Sequence, residues 1–223
     1  ELTAAGEVLW SGHGALPGND GWVSLHPAEL APVSLAAPDA EFVPGPLHEK
    51  VLATLSGGGA YFFRPLADAV GCTDDRALAE ALWDLVWAGL LSNDTLAPVR
   101  SLLAGGRTAH RARRSPPRAR FGRYSSLRAT AAASARPAMP SRSGPPTVAG
   151  RWSLLPRREQ DPTVRAHAGA EILLERYGVV TRGSVQAEHY PGSFAAAYRV
   201  LCAFEEAGRV RRGYFVAGLG GAQ

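Results

Sequence analysis

The sequence predicts a mainly α-helical protein with small β-ribbons, in which one helical unit occurs twice and a disordered linker joins the two copies. Gly59 and Gly178 each follow a helix-like segment, and Ala88-Gly89 and Ala207-Gly208 each end a longer one. The glycines and the Ala-Gly pairs are both separated by 119 residues. Matching spacing at two points indicates a duplicated unit.

Residues 1–37 carry the pattern of a β-hairpin. The runs EVLWSGHG and GWVSLHP flank the turn-rich stretch LPGND at residues 16–20, and turn residues between two such runs are typical of hairpins. Ala5-Gly6, just before the first run, resembles the later Ala-Gly pairs. We therefore interpret this hairpin as the wing of a preceding unit, whose helices we expect upstream of Glu1.

Residues 38–103 form the first copy. The pattern predicts helices over Leu47–Leu55 and Pro65–Val70, with the extended residues 61–63 between them. Thr73 is the predicted N-cap of a third helix, because a hydroxyl can accept a hydrogen bond from the first turn. That helix is predicted to bury Leu78, Leu82, Leu85 and one face of Trp83 or Trp87. Its wing is short, begins at Leu90 and carries Pro98.

Residues 104–150 hold ten arginines and no acidic residue, whereas the rest of the chain has 14 basic and 20 acidic residues. The segment is rich in Ser, Pro, Gly and Ala and lacks helical or strand periodicity. It has too few apolar residues to offset the entropy of ordering. We interpret it as a disordered linker that acts as a spacer; weak contact with nucleic-acid phosphates is the alternative.

Residues 151–223 form the second copy. Asp161-Pro162 begins a helix over 163–177, which ends at Gly178. Thr181 caps the next helix, and Ser193 caps a third over 194–207. The predicted apolar stripes are Val164, Ala168, Ile172 and Leu173 on the first helix, and Phe194, Ala197, Leu201 and Phe204 on the third. A strand over Arg209–Val216 follows, without its return strand. Three helices followed by a β-ribbon are the order of a winged helix, a helix-turn-helix variant.

The stretch EAGRVRRGYFV at residues 206–216 concentrates positive charge at the start of this predicted strand. One strand face must pack on the helices, so we expect the arginines to cluster at the exposed end of the wing. The predicted phosphate-contacting residues are Arg182, Ser184, Ser193, Arg199, Arg209, Arg211 and Arg212, with Tyr198 beside them. A solvated face on a protein-interaction module is the alternative. In the first copy, the acidic residues Asp74, Asp75, Glu80 and Asp84 disfavour contact with DNA.

The residues indicate no catalytic, cofactor or metal site. Neither glycine cluster continues into a phosphate-binding motif. The carboxylate pairs are adjacent on helices and point in different directions. The two cysteines and six histidines are scattered. No apolar run is long enough for a membrane span, and no secretory signal precedes the first helix. We therefore expect a cytoplasmic protein.

Several long segments resemble the C-terminal region of bacterial large helicase-related (Lhr) proteins: GAYFFRPLADAVG, DDRALAEALWDLVWAGLLSNDTLAPVR, RSGPPTVAGRWSLLP, LLERYGVVTRGSV and EEAGRVRRGYFV. The resemblance implies an ATP-dependent helicase that acts on DNA or RNA:DNA hybrid, with a role in DNA repair. ATP and Mg²⁺ would belong to a helicase core outside this chain. The same region is similar to winged-helix DNA glycosylases, whose catalytic β-barrel would follow Gln223.

The leading hypothesis is a non-catalytic accessory module that binds nucleic acid for such a helicase. Its partners would be DNA or RNA:DNA hybrid, and the helicase core and β-barrel of the same parent chain. One alternative is a structural or oligomerisation module, which would make the protein a homo-oligomer. The other is a part of a winged-helix DNA glycosylase whose catalytic barrel lies outside this chain.

Overall fold

The computed structural model describes residues 1–18, 20–105, 144–188, 190 and 193–218. Most of the predicted linker, residues 106–143, lies outside the described residues, and its disorder stays a prediction. Two buried hydrophobic cores organise the described parts of the chain. We call the elements around them the first unit (residues 46–103 and 144–154) and the second unit (residues 161–210).

An antiparallel hairpin precedes the first unit. The short helix α1 (Leu2–Ala5) leads into strands β1 (Val8–Leu16) and β2 (Asp20–Pro27), and the short helix α2 (Ala31–Ser34) follows. Gly12 and Gly21 face the indole of Trp87, where a Cβ atom would approach ring carbons to 2.9 and 2.4 Å. The predicted hairpin thus exists, but it packs onto the helices that follow it, and Trp10 is fully buried in their core.

Residues 46–103 of the first unit form three core helices, two short strands and one peripheral helix. In chain order they are α3 (Pro46–Ser56), β3 (Tyr61–Phe62), α4 (Phe63–Val70), α5 (Asp75–Trp87), β4 (Leu91–Asn93) and α6 (Ala97–Leu103). Helix α5 buries the predicted residues Leu78, Leu82, Leu85 and Trp83. Trp87 is partly buried and stacks on Trp83, with ring centroids 5.3 Å apart.

The cap of α5 differs from the prediction. Asp74, rather than Thr73, is the N-cap, and its carboxylate accepts hydrogen bonds from the backbone N–H groups of Arg76 and Ala77. A carboxylate is favoured over a hydroxyl at this position because it also interacts with the positive end of the helix dipole.

The central strand of the first unit comes from beyond the arginine-rich segment. Strand β5 (Arg151–Leu154) lies between β3 and β4 and pairs antiparallel with both. The sequence pattern assigns these residues to the second copy, and that assignment is corrected. They belong to the first unit because β3 and β4 each have backbone groups that need a partner, and one strand satisfies both. Trp152 is fully buried beneath this sheet and donates its indole N–H to the carbonyl of Val148 at 3.1 Å.

The ends of the insertion are fastened to each other. Arg151 donates from its backbone N and from Nε to the carboxylate of Asp94, at 2.8 and 2.7 Å. Asn93 donates to the carbonyl of Ala149 at 3.1 Å. A 3-10 turn (Pro146–Val148) packs against α6, although these residues fall within the predicted linker. Residues 94–150 are therefore an insertion between the paired strands β4 and β5. The first and last residues of the insertion lie close together at the end of this ribbon.

The second unit is a three-helix bundle made of α7 (Pro162–Tyr177), α8 (Arg182–Ala187) and α9 (Ser193–Glu206). Asp161 caps α7 and Gly178 ends it, as predicted. The expected stripe on α7 is partly wrong, because Val164 is 46% exposed while Ala170 is buried. The buried face of α7 is thus rotated from the predicted one. Gly169 allows this face to pack closely, because a Cβ atom at that position would lie 2.7 Å from the ring of Tyr190. The predicted stripe of α9 is correct, with Ala197, Leu201 and Phe204 buried.

The predicted strand Arg209–Val216 does not form. The segment makes an isolated bridge at Gly213, and the side chain of Tyr214 is 87% exposed. A strand requires a neighbour to accept its backbone hydrogen bonds, and the described residues provide none along this segment.

A hydrogen-bonded chain of side chains connects the hairpin to α2. Ser11 Oγ lies 3.0 Å from Nε2 of both His13 and His26, and His26 Nδ1 lies 2.8 Å from Ser34 Oγ. His26 is buried, and burial, followed by the charge of His13, lowers the pKa of His26 to about 4. Protonation of His26 therefore opposes the folded state.

Trp152→Ala should selectively unfold the first unit. Removing a fully buried indole costs about 3–5 kcal/mol, so we expect amide protons of α5 and β4 to lose protection in hydrogen exchange. Amides of α9 should keep theirs. Phe62→Ala, on the exposed neighbouring side chain, is the control and should change little. Equal loss of protection in both units would contradict the assignment of β5 to the first one.

The stability of the folded chain should decrease as the pH is lowered, because His26 is protonated more readily in the unfolded state. The unfolded imidazole titrates near 6.5 and the folded one near 4, so the folded state binds fewer protons between these values. The contribution of neutral His26 to the free energy of unfolding is therefore complete above pH 6.5, and it is lost as the pH falls towards 4. Because solvent screens part of this effect, we expect the free energy of unfolding, measured with urea, to drop by roughly 1–2 kcal/mol between pH 7 and 4.5. His26→Gln should flatten this slope; an unchanged slope in that variant would refute a role for His26.

Candidate nucleic-acid interface

Helix α9 presents part of the exposed surface of the second unit, and several of the predicted contact residues lie on or near it. Its apolar stripe faces the core, whereas Ser193 and Arg199 are exposed. Ser193 begins the helix with a backbone φ of 65°, in the left-handed region that glycine favours. Arg199 forms no ion pair with any of the described residues. The structure thus places two of the predicted contact residues on one solvent-facing helix.

Two neighbouring aromatic rings of α9 are each covered by an arginine from outside the helix. The guanidinium carbon of Arg182, at the start of α8, lies 5.2 Å from the centroid of the Phe194 ring. Phe194 lies 5.7 Å from Tyr198, and the guanidinium carbon of Arg212 lies 5.8 Å from the Tyr198 ring. The two arginine–ring distances are in the range of cation–π contacts. We call these four residues the arginine–aromatic row.

Arg209 is directed towards the bundle. Its guanidinium pairs with Glu171 on α7 at 2.5 Å and lies 4.4 Å from the ring centroid of Phe204. The hydrogen bond from Arg209 lowers the pKa of Glu171. The expectation that this arginine extends from a wing is therefore corrected, because α7 presents a carboxylate within reach of the end of α9.

Arg212 is also paired within the chain, and Arg211 is not. Arg212 bonds to Glu205 at 3.1 Å and to the hydroxyl of Tyr198. Arg211 is exposed and has no carboxylate partner among residues 1–18, 20–105, 144–188, 190 and 193–218. Within that part of the chain, one of the three arginines predicted to cluster in a wing is thus unpaired. The contact of all seven predicted residues with DNA stays a prediction.

Ser184 has a structural role in the second unit. Its backbone N–H donates to the hydroxyl of Thr181 at 3.1 Å, and its own hydroxyl lies 2.9 Å from the backbone N of Thr181. This reciprocal arrangement is a capping box at the start of α8. Thr181 is the cap that the sequence predicts, whereas the predicted role of Ser184 is a contact with nucleic acid.

The acidic residues on the third helix of the first unit are mostly engaged locally. Asp75 pairs with Arg64, Glu80 with Arg76, and Asp84 with His48. The helix still carries more acidic than basic side chains, which keeps it a poor surface for phosphate.

The structure shows no group of three or more metal-binding side chains among the residues it describes. No helix in the same part of the chain has the length and apolar character needed to cross a lipid bilayer.

Ser184→Ala should lower stability rather than nucleic-acid affinity. Loss of a capping side chain costs about 1 kcal/mol, so we expect a lower thermal midpoint and an unchanged dissociation constant for DNA. Gln186→Ala, an exposed residue on the same short helix, is the control for stability. A weaker affinity in a folded Ser184→Ala variant would instead support a contact of Ser184 with nucleic acid.

Comparison with known proteins agrees with these features. Residues 159–223 match the winged-helix domain of large helicase-related proteins. The whole chain is 50% identical to a part of a Mycolicibacterium smegmatis protein described as an Lhr helicase and probable uracil glycosylase. It is 40% identical to a part of an Escherichia coli protein described as an Lhr helicase and uracil glycosylase. The chain spans 14% of the length of each relative. These matches confirm the resemblance seen in the sequence: the chain belongs to the large helicase-related family, with a winged-helix domain at residues 159–223.

Proposed function

We propose that this chain is a nucleic-acid-binding accessory module of a helicase of the large helicase-related family. The observation that carries the proposal is the arginine–aromatic row on the second unit. Arg199 and Arg211, next in the chain to Tyr198 and Arg212, form no ion pair with the described residues. The family match supports a helicase as the parent protein, and the row supports the surface on which nucleic acid would lie.

Charge pairing selects the residues that would bind. Arg182, Arg199 and Arg211 form no ion pair with the described residues, so their charges are free to displace counterions from a phosphate backbone. Arg209 and Arg212 would first have to leave Glu171 and Glu205. The unpaired arginines are therefore the primary phosphate contacts, and the paired ones orient the surface around them.

The aromatic members of the row would contribute in a different way. Phe194 and Tyr198 lie next to each other and are half-buried, each beneath a guanidinium group. Bases and guanidinium groups both stack on aromatic faces. An incoming base could replace an arginine over either ring while the displaced arginine turns to a phosphate.

The first unit, in this proposal, is also a winged helix, in tandem with the second unit. Its helices α3, α4 and α5 repeat the three-helix order of the second unit, and the β4–β5 ribbon follows them. Its acidic third helix suits it to contact other parts of the parent protein. The parent protein would unwind DNA or RNA:DNA hybrid with ATP and Mg²⁺, and would serve in DNA repair.

The names of both relatives also include uracil glycosylase. We propose the same second activity for the parent protein, with this chain presenting DNA to it. A base-excision assay on the full-length protein, with a uracil-containing strand, would test this activity.

Arg182→Ala/Arg199→Ala should weaken binding to an oligonucleotide and reduce its dependence on salt. Each lost phosphate contact lowers the slope of log K against log salt by about 0.7–0.9, so the double variant should lose about 1.5 from that slope. Fluorescence anisotropy over a salt series would measure it.

The matched control is Arg76→Ala/Arg176→Ala, which removes the same charge from two arginines that are paired with Glu80 and Glu188. This variant should keep nearly the wild-type slope. Equal losses in both double variants would show a nonspecific effect of net charge and would refute the proposed interface.

A further inference from the structure

A cleft separates the hairpin and α2 from the second unit. Its volume is about 1020 Å³, and its walls include Ser24, His26 and Ser34 on one side and Arg165, Gly169 and Ile172 of α7 on the other. The cleft lies on a different part of α7 from the ion pair with Arg209 and does not include the arginine–aromatic row.

Arg165, in the wall of this cleft, and Arg158, which lies outside the lining, donate to a single backbone oxygen. Arg158 Nε donates to the carbonyl of Leu35 at 3.0 Å, and Arg165 Nη2 donates to the same oxygen at 3.2 Å. The two guanidinium groups are therefore close neighbours of like charge. Neither can relieve the repulsion by losing a proton, because guanidinium remains charged in proteins.

No carboxylate of the described residues compensates these charges. Neither Arg158 nor Arg165 forms an ion pair with a carboxylate of those residues. Glu159, the nearest acid in sequence, accepts hydrogen bonds from the backbone N–H groups of Gln160 and Asp161.

The Nε–H of Arg165 is buried and has no hydrogen-bond partner among the described residues. A buried donor without an acceptor costs about 1–3 kcal/mol, and a partly buried cation without a counterion costs more. Both costs are removed by a ligand that brings a negative charge and several acceptor oxygens.

We propose that the part of the cleft beside Arg165 is a phosphate-binding site, with Arg165 as its principal ligand and Arg158 as its second cation. A phosphate group accepts two parallel hydrogen bonds from a guanidinium fork, and Arg165 has one fork nitrogen buried and unused. Of the acidic residues that line the cleft, Glu175 is ten residues further along α7, roughly 15 Å away, and Glu188 pairs with Arg176. Glu29, on the hairpin side of the cleft, forms no ion pair with either arginine among the described residues. This site does not rest on the function proposed for α9.

The first test is a titration of the whole 223-residue chain with inorganic phosphate, at constant ionic strength set with chloride. We expect a saturable shift of the Arg165 Nε–Hε resonance in NMR spectra, assigned from its loss in Arg165→Lys, and a matching rise in thermal midpoint. Arg165→Gln and Arg158→Gln should lose the rise. Arg176→Gln, at the far end of the same cleft, should keep it.

A second arm uses a short oligothymidylate in place of inorganic phosphate. If only this probe shifts the Arg165 resonance, the ligand is the phosphate backbone of a nucleic-acid strand; if inorganic phosphate suffices, the ligand is a free phosphate group. An Arg165 resonance that responds to neither probe would overturn the proposal, even if the Gln variants fail to fold.

The Arg182→Ala/Arg199→Ala variant separates this site from the proposed function. It should retain the response of Arg165 to inorganic phosphate even where oligonucleotide binding is weakened. Loss of the phosphate response in that variant would place the anion at α9 and would also overturn the proposal.

Discussion

The pairing of β5 with both β3 and β4 is the constraint on which the first unit depends. A four-residue strand supplies the backbone partners for two other short strands, and its Trp152 closes the core beneath them. Because β5 lies beyond residues 94–150, the unit is complete only when the chain has returned from the insertion. The Asp94–Arg151 pair fastens the two ends at that point. As a result, the arginine-rich segment lies in the chain between two paired strands of the first unit, before that unit ends.

Ion pairs within the chain determine which arginines near α8 and α9 remain available to an anionic ligand. The arginines of the second unit are numerous, but Glu171, Glu188 and Glu205 each hold one of them in the folded chain. On α8, on α9 and just after them, Arg182, Arg199 and Arg211 form no ion pair with the described residues, and Arg182 lies over the ring of Phe194. A surface of this kind combines positive charge with ring faces, which are the two features that sequence-tolerant binding of nucleic acid requires.

The short helix α2 connects the hairpin to the second unit. The carbonyl of Leu35, at its end, accepts from Arg158 and Arg165, and the carbonyl of Pro32 accepts from the backbone of Glu159. On its other side, Ser34 bonds to the buried His26 of the hairpin. These contacts therefore join the hairpin, α2 and α7 beside the cleft, whose wall includes the guanidinium group of Arg165, which has no counterion among the described residues.

Short-range signals in the sequence were sufficient for the three core helices of each unit, for the caps at Asp161 and Thr181, and for the buried face of α9, because these depend on residues within one or two turns. Helix α6, which contains Pro98, forms where the sequence predicted part of a wing. The long segments were likewise sufficient for the family. The missing strand at 209–216, the true place of Arg151–Leu154 and the pairing of Arg209 with Glu171 could not be read in this way. Each depends on a partner that is distant in the chain, and backbone hydrogen bonds and ion pairs form only between groups that the folded structure brings within a few ångströms.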